Sequence, residues 1–184
     1  NNMTLLHNPF VTSGYIAPEY FCDRERETEE LLRWLVNENN VAIISTRRMG
    51  KTGLIQHCFH LKEIKENYYT FLIDIYATKT LREFVFQLGK VILATLKPKG
   101  QKAWELFVNS LVSLKAGFSL DMSGMPQWNL ELGDIKSPET TLDEIFHYLA
   151  VSDKPCIIAI DEFQQVAQYP EKNTEALLRT YVQH

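Results

Sequence analysis

Residues 41–52 read Val-Ala-Ile-Ile-Ser-Thr-Arg-Arg-Met-Gly-Lys-Thr. The four apolar residues predict a buried strand, and the apolar pair Leu54-Ile55 beyond the stretch predicts a helix. Between them the chain matches the pattern G-x-x-x-x-G-K-[ST], which cradles a nucleoside triphosphate, except that Ser45 stands at the position of the first glycine. Serine tolerates a positive φ less well than glycine does. Because Gly50 and the two residues after it are intact, we still predict a strand, a phosphate-binding loop and a helix.

Each residue type in this pattern has a physical role. Gly50 lets the backbone approach the phosphates, Lys51 brings a positive charge to the β- and γ-phosphates, and Thr52 offers its hydroxyl to Mg²⁺. Arg47 and Arg48 either reach phosphates as well or are solvated loop charges. The predicted nucleotide-binding residues here are Ser45, Thr46, Arg47, Arg48, Met49, Gly50, Lys51, Thr52 and Gly53.

A second apolar run, residues 156–160, ends in Asp161 and Glu162, about 110 residues after the Lys-Thr pair. A continuous apolar run is typical of a parallel strand that is buried on both faces. A carboxylate at the end of such a strand can hold Mg²⁺, which assigns Asp161 to the metal together with Thr52. Glu162, pointing the other way, could polarise the attacking water as a general base. The alternative is a pair of acids that cap a helix.

Asp74 closes another predicted strand, at the edge where ligands bind in such sheets. It lies either close to Mg²⁺ or water, or in a turn that its own side chain stabilises, and the turn is the preferred interpretation.

Strands alternate with helices along the chain, which predicts an α/β fold with a mostly parallel sheet. An alternating stretch at 117–132 predicts an inserted β-hairpin that stands off the main sheet. Residues 1–22 predict an extended lead-in, and Asp23 could cap the helix that follows. The predicted strands cover about 41–44, 68–75 and 156–161, and the predicted helices about 24–38, 51–64, 80–96, 101–114, 137–150 and 173 to the end.

Composition narrows the classes of function. The net charge is −4 and the isoelectric point is about 5.8, so no basic excess indicates contact with nucleic acid. No apolar run approaches the ~20 residues of a membrane span, and residues 1–4 lack the layout of a signal peptide. The cysteines are odd in number, at 22, 58 and 156, without C-x-x-C spacing, which favours reduced thiols. We therefore expect a cytoplasmic protein that does not contact a membrane.

With these residues identified, the chain resembles the archaeal-type P-loop ATPase family of archaea and Bacteroides-like bacteria. That family is AAA-related and belongs to the STAND class and to the ATPases with an additional catalytic glutamate. The resemblance lies in residues 20–25, 44–52, 73–74 and 158–164. It implies a three-layer α/β/α P-loop NTPase fold, bound ATP or ADP with Mg²⁺, and hydrolysis that uses Lys51 and Glu162. Adenine is implied because no guanine-reading Asn-Lys-x-Asp segment is present.

The resemblance also places Phe21 and Arg24 near the nucleotide base, because a Phe-x-x-Arg-Glu segment lies there in the family. The alternative, from the residues alone, is a helix start with Asp23 as its N-cap.

The family resemblance further implies the sheet order 5-1-4-3-2, in which a sensor strand separates the loop strand from the Asp-Glu strand. Relatives continue with that strand, a fifth strand, a helical lid and often a winged helix, none of which occurs here. We therefore expect residues 1–184 to be the N-terminal part of an AAA-like ATPase domain. Its central position in the sheet would be empty, with costly unpaired backbone, or filled by another segment.

Two functions follow as expectations. The first is Mg-dependent ATP hydrolysis coupled to conformational signalling, with a protein partner or self-association. The second is a nucleotide-gated switch or scaffold with little turnover, tethered to a DNA-binding winged helix outside this chain.

Overall fold

The computed structural model describes residues 40–44 and 51–181, except for the side chains of residues 51, 52 and 54. The predicted lead-in at 1–22 and the predicted helix at 24–38 lie outside these residues. The strands are β1 Val41–Ile44, β2 Tyr69–Asp74, β3 Phe118–Leu120, β4 Pro126–Trp128 and β5 Cys156–Asp161. The α-helices are α1 Lys51–Phe59, α2 Lys62–Asn67, α3 Leu81–Leu96, α4 Gln101–Ser110, α5 Pro138–Val151 and α6 Thr174–Arg179.

Within the described residues, the main sheet has three parallel strands in the order β1-β5-β2. Strand β5 is central, and it pairs with β1 from Val41↔Ile157 to Ile44↔Ile160. On its other side it pairs with β2 along the whole of that strand, as far as Asp74↔Asp161. The predicted mixed α/β fold with a parallel sheet is confirmed.

Helices pack on both faces of this sheet. On one face, β1 and β5 bury Val41, Ile43, Ile157 and Ala159 against Ile55 of α1 and other residues of α1 and α2. On the other face, alternate residues of β2 and β5 pack with α3, α4 and α5 in a larger core. All six residues of β5 are buried, because neighbouring side chains of a strand point to opposite faces and both faces are covered.

The expectation of an empty central position in the sheet is wrong. No strand separates β1 from β5; the two strands form a direct parallel ladder of four residue pairs. The physical reason is that buried N–H and C=O groups are costly to leave unpaired, and direct pairing satisfies them. The order 5-1-4-3-2 is accordingly not the arrangement of the described strands.

The helix boundaries differ from prediction at three places. The helix expected over about 51–64 is two helices, because Leu61 is extended (φ −62°, ψ 136°) and breaks the hydrogen-bond ladder. The helix expected over 101–114 ends at Ser110 and continues as a 3₁₀ helix, Val112–Gly117. The last helix ends at Arg179 rather than running on. Among the described residues, no helix combines the length and apolar character needed to cross a bilayer.

The predicted hairpin is confirmed as a separate antiparallel sheet of β3 and β4. Asp121 organises its turn by accepting hydrogen bonds from the backbone N–H groups of Ser123 and Met125, each 2.9 Å long. Hydrogen bonds, led by that from the Ser123 hydroxyl, lower the pKa of Asp121 to about 2. Trp128 fixes the hairpin to α3, where its ring lies edge-on to Phe86 at 5.7 Å.

The state of the cysteines differs from the expectation at one position. Cys58 is disulfide-bonded, so the expectation that all three thiols are reduced is wrong at this position. Cys156 is a free thiol in the core, and burial raises its pKa to about 12.

Replacing Gly89 by alanine tests the packing of the hairpin on α3. An added Cβ would lie 2.5 Å from Cη2 of Trp128, so the rigid indole ring must move. We expect Gly89→Ala to lower the free energy of unfolding by about 1–3 kcal/mol, the usual cost of overpacking, although alanine is the better helix former. Urea unfolding measures this change. The control is Gly133→Ala, where a Cβ meets nothing within 4 Å. Equal stabilities of the two variants would contradict this packing.

Candidate functional site

The site predicted from sequence lies at the carboxyl edge of the main sheet. Because β1, β2 and β5 are parallel, their carboxyl ends share one edge. Strand β1 ends at Ile44 and α1 begins at Lys51, so a connection of six residues, 45–50, leads from this edge into a helix N-terminus. Ligands of open parallel sheets bind outside this edge, and helix N-termini favour anions.

Several predicted nucleotide-binding residues lie outside the described part of the chain: Phe21, Arg24, Ser45, Thr46, Arg47, Arg48, Met49 and Gly50. Lys51 and Thr52 are the first two residues of α1, and Gly53 follows them as an exposed residue. Residues 45–50 therefore lie between β1 and α1 in the chain.

Asp161 is the last residue of the central strand, and its side chain is buried, with the residue 2% exposed. One carboxylate oxygen, Oδ1, accepts the backbone N–H of Glu162 at 2.9 Å. The residue lies one step beyond the last β1 pair, Ile44↔Ile160, and is in register with Asp74 of β2. Asp161 thus lies at the sheet edge where β1 ends.

Glu162 follows as a buried residue, 4% exposed, in the left-handed backbone region (φ 62°, ψ 38°). Among the described residues, no other residue except glycine has a positive φ. Such a conformation costs of order 1–3 kcal/mol and is concentrated at functional sites. The side-chain direction is therefore set by this turn, and not by the strand alternation that the sequence predicted.

The two acids do not behave as a helix-capping pair. Glu162 precedes the 3₁₀ helix Phe163–Gln168, but its side chain makes no capping hydrogen bond. Its Oε2 instead accepts a hydrogen bond from Nε2 of Gln164. The carboxylate is thus held within the turn.

Asp74 has the structural role preferred from the sequence. It is exposed, and its Oδ1 accepts the backbone N–H of Tyr76 at 2.8 Å. This bond closes a turn over two residues, in which an aspartate side chain replaces a backbone acceptor.

Three side-chain bonds tie the segment after β5 to the loop after β2. Gln165 donates from Nε2 to the carbonyl oxygen of Tyr76 at 2.7 Å. The hydroxyl of Tyr169 is hydrogen-bonded to the hydroxyl of Thr78. The Thr78 hydroxyl itself donates to the backbone carbonyl oxygen of Ile75 at 2.6 Å. Farther along, Glu171 accepts the N–H of Leu81 at 3.2 Å, at the start of α3. These bonds, which we call the strap, connect residues 165–171 with residues 76–81.

The oxygen-bearing residues at this edge of the sheet suit a metal ion that is bound partly through phosphates. In the described part of the chain, no cluster of three or more His, Cys, Asp or Glu side chains could hold a metal ion. Protein-bound Mg²⁺ usually takes one or two protein oxygens plus phosphate and water oxygens, so it needs no such cluster. The buried carboxylate of Asp161 fits that mode of binding, and Thr52 is the second oxygen ligand that the sequence predicts. They do not fit a site built from protein ligands alone.

No sequence pattern predicted a role for Gln164, Gln165 or the Thr78–Tyr169 bond. Amide and hydroxyl side chains are common in turns, and their partners here are two to 91 residues away in the chain. Only the left-handed turn at Glu162 brings the Gln164 amide back to the carboxylate. A non-glycine residue in that conformation cannot be read from a sequence pattern.

Tyr169→Phe tests the strap. Loss of the hydroxyl should lower the free energy of unfolding by about 0.5–1.5 kcal/mol at neutral pH. Burial raises the pKa of Tyr169 to about 12 from 10.0. The unfolded chain therefore loses this proton first, and wild type should lose additional stability as the pH rises from about 10 to 12.

Tyr169→Phe should lack this additional loss of stability at high pH. Other buried tyrosines are present in both proteins and affect their stabilities equally. Urea unfolding at a series of pH values measures the difference. The control is Tyr76→Phe, which removes the hydroxyl of a 55% exposed tyrosine at the other end of the strap. Identical pH profiles for wild type and Tyr169→Phe would contradict the burial of this hydroxyl, and equal stability of the two proteins at neutral pH would contradict its hydrogen bond to Thr78.

Comparisons with known proteins do not place the chain. No family model, no curated protein and no solved structure matches it. The resemblance to the archaeal-type ATPases therefore remains a prediction from the residues. Any function assigned to the chain must be argued from the site itself.

Proposed function

We propose that this chain binds ATP with Mg²⁺ and hydrolyses the γ-phosphate bond, as a P-loop ATPase of the archaeal-type family would. One observation carries the proposal. Strand β5, which ends at the buried Asp161 and is followed by the buried Glu162, is hydrogen-bonded directly to β1, and six residues separate the end of β1 from Lys51 at the start of α1. This arrangement supports a triphosphate site because it combines a helix N-terminus, a lysine and two acids at one sheet edge.

The proposed roles follow the residue types. Lys51 and the backbone amides of residues 45–50 bind the phosphates, as the sequence pattern indicates. Thr52 and Asp161 would hold Mg²⁺, which would supply positive charge to the phosphates. The resemblance adds Phe21 and Arg24 as contacts of the base.

Glu162 is the proposed general base. Its carboxylate accepts a proton from water while the water oxygen attacks the γ-phosphorus. The bond from that phosphorus to the bridging oxygen breaks, and its electron pair leaves with ADP. Burial of Glu162 supports this role because charges interact more strongly where water is excluded.

A second candidate is a nucleotide-gated switch with little turnover, and the strap favours it. Residues 165–171 begin three residues after Glu162 and are hydrogen-bonded to the loop that leads into α3. A nucleotide-dependent movement at Glu162 would therefore be transmitted to that helix. In this reading a protein partner or a second copy of the chain would sense the change.

Glu162→Gln distinguishes the two functions. This isosteric change removes the base, so we expect steady-state ATP turnover to fall by about 10²–10⁴-fold, the typical contribution of a general base. Affinity for ATP, measured by calorimetry with Mg²⁺, should stay close to wild type. The matched control is Asp74→Asn, which changes an exposed carboxylate at the same sheet edge and should keep turnover.

Two outcomes would contradict hydrolysis by this mechanism. If wild type binds ATP tightly and does not turn it over, the switch is favoured. If Glu162→Gln turns over ATP at the wild-type rate, Glu162 is not the base.

Lys51→Ala tests the location of the site. A lysine bound to phosphate makes charge-assisted hydrogen bonds, so its loss should weaken ATP binding by roughly 10–100-fold. The control is Lys62→Ala, because Lys62 is also the first residue of a helix, α2, and is exposed. Unchanged affinity in Lys51→Ala would show that the phosphates bind elsewhere.

A further inference from the structure

Glu162 and Gln164 are two residues apart, and the Gln164 amide donates a hydrogen bond to the Glu162 carboxylate. We propose that Gln164 is a positioning residue that holds this carboxylate in the orientation that hydrolysis requires. The inference rests on the proposed function, in which Glu162 is the general base.

The backbone of Glu162 is held by bonds on both sides. Its N–H is donated to Asp161 Oδ1 at 2.9 Å, and its carbonyl oxygen accepts the N–H of Gln165 at 3.1 Å. These bonds stabilise the left-handed turn through the backbone of Glu162. The amide of Gln164 acts on the side chain, because it donates a hydrogen bond to one of the two carboxylate oxygens.

A general base must lie within about 2.6–3.2 Å of the proton-bearing water oxygen, and a misplacement of ~1 Å can cost a hundredfold in rate. An anchor on Oε2 confines the second oxygen to a small region. An amide does so without adding a positive charge beside the carboxylate. Gln164 is itself exposed, so its role in packing the core is small.

The next residue provides a natural control. Gln165 is the same residue type in the same 3₁₀ helix, but its amide bonds the carbonyl of Tyr76 and not Glu162. A general effect of losing a glutamine from this turn would affect both positions. An effect through Glu162 would affect Gln164 alone.

The experiment compares Gln164→Met with Gln165→Met in the full chain, measuring kcat for ATP and the Kd for ATP with Mg²⁺. We expect Gln164→Met to lower kcat about tenfold, the usual effect of losing one hydrogen bond to a charged group, with Kd within about twofold of wild type. Gln165→Met should keep kcat within about twofold. In Gln164→Glu the new side chain has the shape of glutamine but cannot donate a hydrogen bond when it is ionised. This variant should therefore lower kcat by at least as much as Gln164→Met.

The double variant with Glu162→Gln identifies the route of the effect. If Gln164 acts only through the Glu162 carboxylate, adding Gln164→Met to Glu162→Gln should lower kcat no further. A further tenfold loss would overturn the proposal, as would wild-type or increased kcat in Gln164→Met or Gln164→Glu, or an equal loss in Gln165→Met.

Failure of the proposed function looks different. In that case Glu162→Gln matches wild type, or wild type has no turnover, and the positioning role falls with it. If Glu162→Gln abolishes turnover while Gln164→Met has none of the expected effect, only the positioning role is wrong.

Discussion

The parallel pairing of β5 with a strand on each side is the constraint on which the rest of this structure depends. Each of its six residues is buried, so its backbone polar groups have no access to water and must pair with neighbouring strands. β1 and β2 satisfy them in register. The helices then cover both faces, because the alternating side chains of these strands are apolar on both sides.

The same pairing determines where the polar chemistry lies. Strands held parallel and in register must end at a common edge, so the acid pair at the end of β5 is brought beside the end of β1. A carboxylate as little exposed as those of Asp161 and Glu162 needs hydrogen-bond partners. Asp161 has one in the backbone N–H of the next residue, and Glu162 has one in the Gln164 amide. The left-handed turn makes both bonds compatible, at a cost in backbone energy that the surrounding core offsets.

Prediction succeeded where the pattern was long or strongly periodic. The apolar runs at 41–44 and 156–161 were identified as strands with correct ends, and the alternating stretch at 117–132 was identified as a hairpin. It failed where a single residue decides the outcome, as at Leu61, whose extended conformation divides one predicted helix into two. The predicted sheet order was also wrong. The order taken from the family places a further strand between β1 and β5, but these two strands are hydrogen-bonded directly to each other.

By itself, the sequence determined the class of fold, the two strand ends that carry acids, and the residue types able to bind a phosphate and a metal. These features are local, since they depend on apolar periodicity and on a motif of eight residues. Only the tertiary structure decided that β1 lies directly against β5, that Asp74 closes a turn, and that Gln164 holds Glu162. These three depend on which backbone groups remain unpaired once the chain is compact, and that is a property of the whole sheet rather than of any segment.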